Sequence, residues 1–181
     1  VQNMIDEGDV IAAIPLLDRL VAKEQAQASP SEIYRLNVAK AGIAIKRERF
    51  EEAGRILVDA AREYPAHKNA ESNLAIGLLL SGESEEAEAT ALGALKRNPE
   101  NQKMAETLAQ ARAQQGKEDL FADIPSKLLD SSIMLGLKST VARMKGDQGW
   151  RKLAIDGARS YPEDKFLKRF AAEAIVDECL E

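Results

Sequence analysis

Few side chains in this chain are of the types that do chemistry, and those few lack companions. His67 is the sole histidine among 181 residues, and Cys179 the sole cysteine. A metal site or general-base pair built on His67 needs partners, and none of them can be a second histidine. Its place just after Pro65 reads as an exposed connector position. Cys179 ends an apolar stripe of Phe166, Phe170, Ala174 and Val176, where a small buried side chain or a bystander is expected and not a thiolate nucleophile. Glu83, Glu85, Glu86 and Glu88 crowd together as paired carboxylates or metal ligands would. They also open a helical segment, whose positive dipole end favours acidic side chains without any ligand. Trp150 falls at the start of another helix, where packing is expected of it and not base or ring stacking. The sequence contains no phosphate-cradling glycine loop and no nucleophile motif. It therefore assigns no catalytic residue, no metal ligand and no cofactor, and the chain is expected not to be an enzyme.

Composition says what kind of elements carry these residues. The chain is 45% hydrophobic but only 4% aromatic, so its apolar content is mostly Ala and Leu, strong helix formers, with few strand formers. An all-α fold follows. Small residues let helices approach closely but bury little area each, so stability needs many stacked helix pairs and not one wide core. A net charge of −5 argues against a nucleic-acid surface, which calls for a basic stripe. No apolar run reaches the about 18 residues that a membrane-spanning helix needs, so no membrane insertion is expected. A single cysteine excludes an internal disulfide and leaves cytoplasm and periplasm both open, with the cytoplasm ahead. The sequence starts at Val1 without Met and stops at Glu181 within a helical pattern, which reads as a fragment of a longer protein.

The elements repeat. Glu48-Arg49-Phe50-Glu51-Glu52-Ala53 through Tyr64-Pro65 overlays Gly82-Glu83-Ser84-Glu85-Glu86-Ala87 through Asn98-Pro99 at one constant offset, the same from Ala53 to Ala87 as from Pro65 to Pro99. Leu57 then matches Ala91, Ala60 matches Ala94, and Ala61 matches Leu95. Each segment has an acidic start suited to a helix N-terminus, a small-residue stripe at helical spacing, and a proline that cannot continue the helix. A third copy runs from Lys145-Gly146-Asp147-Gln148-Gly149-Trp150 through Leu153, Ala154 and Ala158 to Tyr161-Pro162. A fourth fragment opens the chain with Glu7-Gly8-Asp9-Val10, Ala13, Leu17 and Leu20. A generic helical bundle shows the helical period without a longer one.

These residues resemble the tetratricopeptide repeat, in which each unit of about 34 residues is a helix–turn–helix closed by a proline. The stretch from Lys68 to Asn101 matches best: Leu74, Ala75 and Leu78 in helix A, Gly82 at the turn, Ala87, Ala91 and Ala94 in helix B, and Pro99 at the end. The resemblance implies a right-handed α-α superhelix, a solenoid of about four repeats in one domain over 1–181. Its units are 1–28 (partial), 31–67, 68–101, 102–130 (irregular), 131–165, and a terminal helix at 166–181. In helix A of the unit ending at Pro65, Val38, Ala41, Gly42 and Ile45 give the stripe only if the turn is one residue shorter.

Two places depart from the repeat. After Leu108, Ala109 and Gly116 no second helix follows. Instead Glu118 to Ser126 reads as a short helix to about Asp123, a break, and a new helix from near Pro125, since the residue before a proline avoids the helical region. The apolar run of Ile133, Leu135, Leu137 and Val141 continues it. Upstream, Ser29-Pro30-Ser31-Glu32 has capping-box spacing with Pro at the first helical position. It follows a link that makes the step from Ala13 to Ala53 longer than the step from Ala53 to Ala87.

The resemblance also implies where binding occurs, on helix A of each unit. The positions carried over are Asn69, Asn73, Ile76 and Leu80, with Lys103, Thr107 and Gln110 in the next unit and Arg35, Ala39 and Lys46 in the preceding one. The Asn73 amide has both donor and acceptor for an extended peptide backbone. Arg35 and Lys103 suit an acidic peptide or carboxylate, although the paired lysines of the carboxylate-clamp subclass are not evident. Ile76, Leu79 and Leu80 give part of the groove apolar character. The expected function is a protein-interaction scaffold that binds a peptide or helix of a partner, with self-association also open. The alternative is a helical accessory domain that positions the rest of a larger enzyme or secretion machine.

Overall fold

The computed structural model describes Arg19 and residues 28–180, the last three by backbone only. The opening fragment around Ala13 and Leu17 lies outside the described residues. Everything regular in the described part is helical, as the composition requires. In order the elements are α1 (Pro30–Lys46), α2 (Phe50–Glu63), α3 (Ala70–Leu80), α4 (Ser84–Arg97) and α5 (Gln102–Gln114). A single 3₁₀ turn (Ser126–Leu128) follows, then α6 (Ser132–Met144), α7 (Gly149–Ser160) and α8 (Lys165–Leu180).

The helix ends explain the order. Glu48, Gly82, Gly116 and Gly146 all have positive φ, at 60°, 83°, 68° and 71°. At each of them the same two backbone bonds close the preceding helix. The N–H of the positive-φ residue reaches back three positions: Glu48 to Ile45 O (2.9 Å), Gly82 to Leu79 O (3.2 Å), Gly116 to Ala113 O and Gly146 to Arg143 O (both 3.0 Å). The N–H after it reaches back five, Arg49 to Ala44 O, Glu83 to Leu78 O, Lys117 to Arg112 O and Asp147 to Ala142 O, at 2.9–3.0 Å. This is the Schellman closure, which satisfies the otherwise orphaned last carbonyls. Glu48, Gly82 and Gly116 are separated by one repeat period each, so Glu48 occupies a glycine's place. The turn before α2 is therefore full length, and the expected one-residue shortening does not occur. The buried stripe of α1 is Tyr34, Ala41, Ile43 and Ala44, with Val38 beside it, while Ile45 is exposed.

The other class of helix end is set by proline. α2, α4 and α7 stop just before Tyr64-Pro65, Asn98-Pro99 and Tyr161-Pro162. In each case the residue before the proline leaves the helical region, with φ between −123° and −134°, as the proline ring forces it to. A short turn follows, closed by His67 N–H to Tyr64 O, Asn101 N–H to Asn98 O, and Asp164 N–H to Tyr161 O at 3.0–3.1 Å. Side-chain oxygens then cap α5 (Asn101 Oδ1 accepting from Met104 N–H) and α8 (Asp164 Oδ1 accepting from Leu167 N–H). At the start of α1 the capping box is formed: Glu32 accepts the Ser29 N–H at 2.8 Å and Ser29 Oγ accepts the Glu32 N–H at 3.4 Å.

The chain parts into two compact units at Glu118 and Asp119, within the segment expected to form the irregular unit 102–130. In the first unit each helix packs on its successor, and α3 also packs on α5. Its core is built of alanine: Ala41, Ala53, Ala75, Ala87, Ala91, Ala105, Ala109 and Ala111 are all 0% exposed, with Leu78, Met104 and Leu108 among them. In the second unit α6 packs on α7, α7 on α8, and α8 on α6. Trp150, Ala154, Phe170 and Ala174 form its centre.

The connecting stretch differs from expectation. Residues 119–123 form turns and not a short helix, because Asp123 takes φ +62° and Pro125 has no N–H to donate. The helix expected near Pro125 is only the 3₁₀ turn. The long helix begins at Ser132, where Ser131 Oγ accepts the Met134 N–H. The stripe of α8 is also shifted. Leu167, Phe170, Ala171 and Ala174 are buried, whereas Phe166 and Val176 are 53% and 56% exposed, which matches the helical period better than the expected set.

Candidate functional site

The ten positions carried over from the resemblance sit on or beside α1, α3 and α5 of the first unit, at related places in the repeat period. Their surroundings differ sharply. Arg35, Lys46, Asn69 and Lys103 are exposed or partly so. Ile76 and Leu80 are half-buried and pack against Ala41, Ala44, Ala53 and Leu57 of the preceding hairpin. Gln110 is half-buried, and Thr107 is 3% exposed with its hydroxyl donated to Lys103 O at 2.8 Å. Thr107 therefore presents no hydroxyl to a ligand in this conformation. Ala39 is half-buried on α1.

Asn73 is committed in part. Its Nδ2 donates to the Tyr34 hydroxyl at 2.7 Å, tying α3 to α1. Burial pushes the Tyr34 phenol up from its ordinary range, and the Asn73 bond opposes this. Around Tyr34 the connector after Pro65 folds inward. The His67 ring stacks on Tyr34 at 4.0 Å and 23°, and Tyr64 meets it edge-on at 6.5 Å and 83°. His67 Nδ1 accepts the Asn69 N–H at 3.2 Å, so this imidazole packs half-buried and is not the exposed connector residue expected. Neither Tyr34 nor the Asn73 bond was visible in the repeat pattern, since Tyr34 has no aromatic counterpart one period later.

The carboxylate cluster resolves into separate roles. Glu85 and Glu86 occupy the first turn of α4, and Glu83 stands just before it without a side-chain cap bond. Glu86 pairs with Arg62 of α2 at 3.3 Å. Glu88 is different, for its side chain is only 14% exposed and it joins α4 to α5. It accepts from Arg112 Nε at 3.0 Å, Gln115 Nε2 at 2.8 Å and Lys117 Nζ at 2.5 Å. Burial raises the Glu88 carboxyl, but these three donors outweigh it and hold the group down at about 2. The carboxylate is thus ionised, with no proton to trade, and three donors on its two oxygens explain it without any metal.

In the second unit Trp150 is 5% exposed and packs on Phe170, with ring centroids 5.2 Å apart. The Arg143 guanidinium lies 4.6 Å over Trp150 and 5.3 Å over Phe170, while Glu173 accepts from it at 2.7 Å. This cation covers one face of the Trp150 ring. Cys179 lies in the last turn of α8, with its side chain outside the described residues. Among the described residues no three His, Cys, Asp or Glu side chains gather as metal ligands would, and no helix is long and apolar enough to cross a membrane. No protein-family model, curated protein or solved structure matches the chain.

Proposed function

We propose that this chain is a tetratricopeptide-type repeat module, a right-handed helical solenoid whose work is to hold a protein partner, a peptide or a helix, on the surface formed by α1, α3 and α5. One observation carries the reading. The same left-handed turn, with the same pair of closing bonds, recurs at Glu48, Gly82 and Gly116, one repeat period apart. Each such turn ends a helix of the α1, α3, α5 series, and in the first unit α3 packs on α5 and reaches α1 through Asn73 and Ile76.

Arg35, Asn69 and Lys103 stand at related positions along this series, offering two cations and an amide to a partner. Gln110 and the Asn73 carbonyl add polar contacts, and the half-buried Ile76 and Leu80 an apolar floor. Lys46 marks the end nearest the first turn. The strongest test spares the core. Arg35→Glu with Lys103→Glu changes two side chains outside the core, so the variant keeps wild-type helix content by circular dichroism. In a pull-down the wild type retains a partner set that the variant loses. Identical sets for the two chains would remove Arg35 and Lys103 as contacts; Asn73→Ala with Leu80→Glu then tests the floor, and identical sets there too would remove α1, α3 and α5 as the binding surface.

A further inference from the structure

The two inter-hairpin contacts of the first unit use opposite chemistry at matching positions. Glu88, Arg112, Gln115 and Lys117 stand one repeat period after Gly54, Leu78, Ser81 and Glu83. Where α2 meets α3, the backbones touch. A Cβ on Gly54 would lie 2.6 Å from Gly77 O and 2.4 Å from Ser81 Oγ, Leu78 is 0% exposed, and Ser81 donates to its own helix at Gly77 O. Where α4 meets α5, the same layer holds an ion network, with the largely buried Glu88 carboxylate between Arg112, Gln115 and the half-exposed Lys117. Arg112 replaces Leu78, and its side chain is 7% exposed.

Repeats that resemble one another face a hazard. The helix B of one unit fits, to a first approximation, the helix A of any other, so the chain can slip by a whole unit or exchange units with a second copy. We infer that the Glu88–Arg112–Gln115–Lys117 network fixes the order in which the hairpins stack, by making the second contact incompatible with the first. Slipping α2 onto α5 sets Gly54 against Arg112 and leaves a buried guanidinium without its carboxylate. Setting α4 against an α3 surface drives the Glu88 side chain into Gly77 and Ser81, where not even a Cβ fits. The first error takes from Arg112 and Lys117 the carboxylate they share, and the second sets a carboxylate where no side-chain atom fits; a buried ionic group is best attested as a register device and not as a source of net stability.

Glu88→Gly combined with Arg112→Leu gives the second contact the residues of the first at these two positions and removes the Glu88–Arg112 pair together, a replacement that buried pairs commonly tolerate, while the half-exposed Lys117 is left in water. The full chain is refolded from urea over a range of concentrations. Helix content is expected to match the wild type, but with two mass envelopes in hydrogen exchange for peptides of α3 and α4, and a species of about twice the monomer mass growing with concentration, as unit exchange between copies produces. The wild type shows one envelope and no such growth. A double variant that refolds to the wild-type pattern at every concentration overturns the inference. So does one that loses its helix content, because the network is then required for folding itself and not for order.

Discussion

The two compact units solve the same problem, holding short helices together in water, with different materials. The first is packed with alanine and glycine, so that α2 and α3 touch backbone to backbone at Gly54 and Gly77. The second gathers a tryptophan, a phenylalanine and a stacked arginine around α7 and α8, and it leaves Phe166, Ile175 and Val176 about half exposed. Small residues spread the stabilising contact thinly over many close approaches, whereas an aromatic cluster concentrates it in a few side chains. The first unit should therefore be sensitive to added atoms, and the second to removed ones.

The largest effect is expected in the second unit. Trp150→Ala should cost about 3–5 kcal/mol, the range for deleting a large buried aromatic. Hydrogen exchange should show α6, α7 and α8 losing protection while α1 to α5 keep theirs. Equal loss in both units would erase the contrast. Next comes acid. The Glu88 carboxyl is lowered in the folded chain, from about 4.5 to about 2. Its contribution is therefore fully present above pH 4.5 and is lost as pH falls toward 2. The difference is on the order of 3 kcal/mol. Urea melts across this window should show a steep pH dependence for the wild type and a flatter one for Glu88→Gln.

In the first unit Gly54→Ala adds one carbon where none fits and should cost about 1–3 kcal/mol, despite alanine's better helix propensity. A neutral result in chemical denaturation would mean that α2 and α3 can part slightly to admit it. The smallest effect has the opposite sign. Glu48→Gly relieves a left-handed backbone that costs an L-residue about 1–2 kcal/mol, less the about 0.5–1 kcal/mol of chain entropy that glycine adds back. A gain of up to about 1.5 kcal/mol is expected from thermal melts, with no change in helix content.

What could be seen from sequence follows from this division. Proline and the glycine turns punctuate the chain by local backbone rules, so the ends of α2, α4 and α7, the capping box at Ser29 and the repeat period were all legible. Side-chain partners across helices were not. Glu88 looks like one more acidic residue at a helix start, and only the docking of α5 places Arg112, Gln115 and Lys117 over it. His67 follows a proline as connector residues do, yet Tyr34, almost a whole repeat upstream, draws it inward. The candidate surface was legible as positions but not as environments. The period marks Thr107 and Asn73 as equivalent, although the first is buried and the second hydrogen-bonded to Tyr34. Residues 119–131 carry no repeat to follow, and Asp123 adopts a backbone conformation that its type permits but does not announce.

In both units, contacts run mainly between each helix and the next, and the longest regular step in the first, α3 to α5, spans a single repeat. Almost no long loop has to close before a contact rewards it, so the barrier to folding is set by local events. Such a chain is expected to fold fast for its length, and to do so piecewise as it leaves the ribosome, each hairpin finding its partner as soon as the following helix has been synthesised.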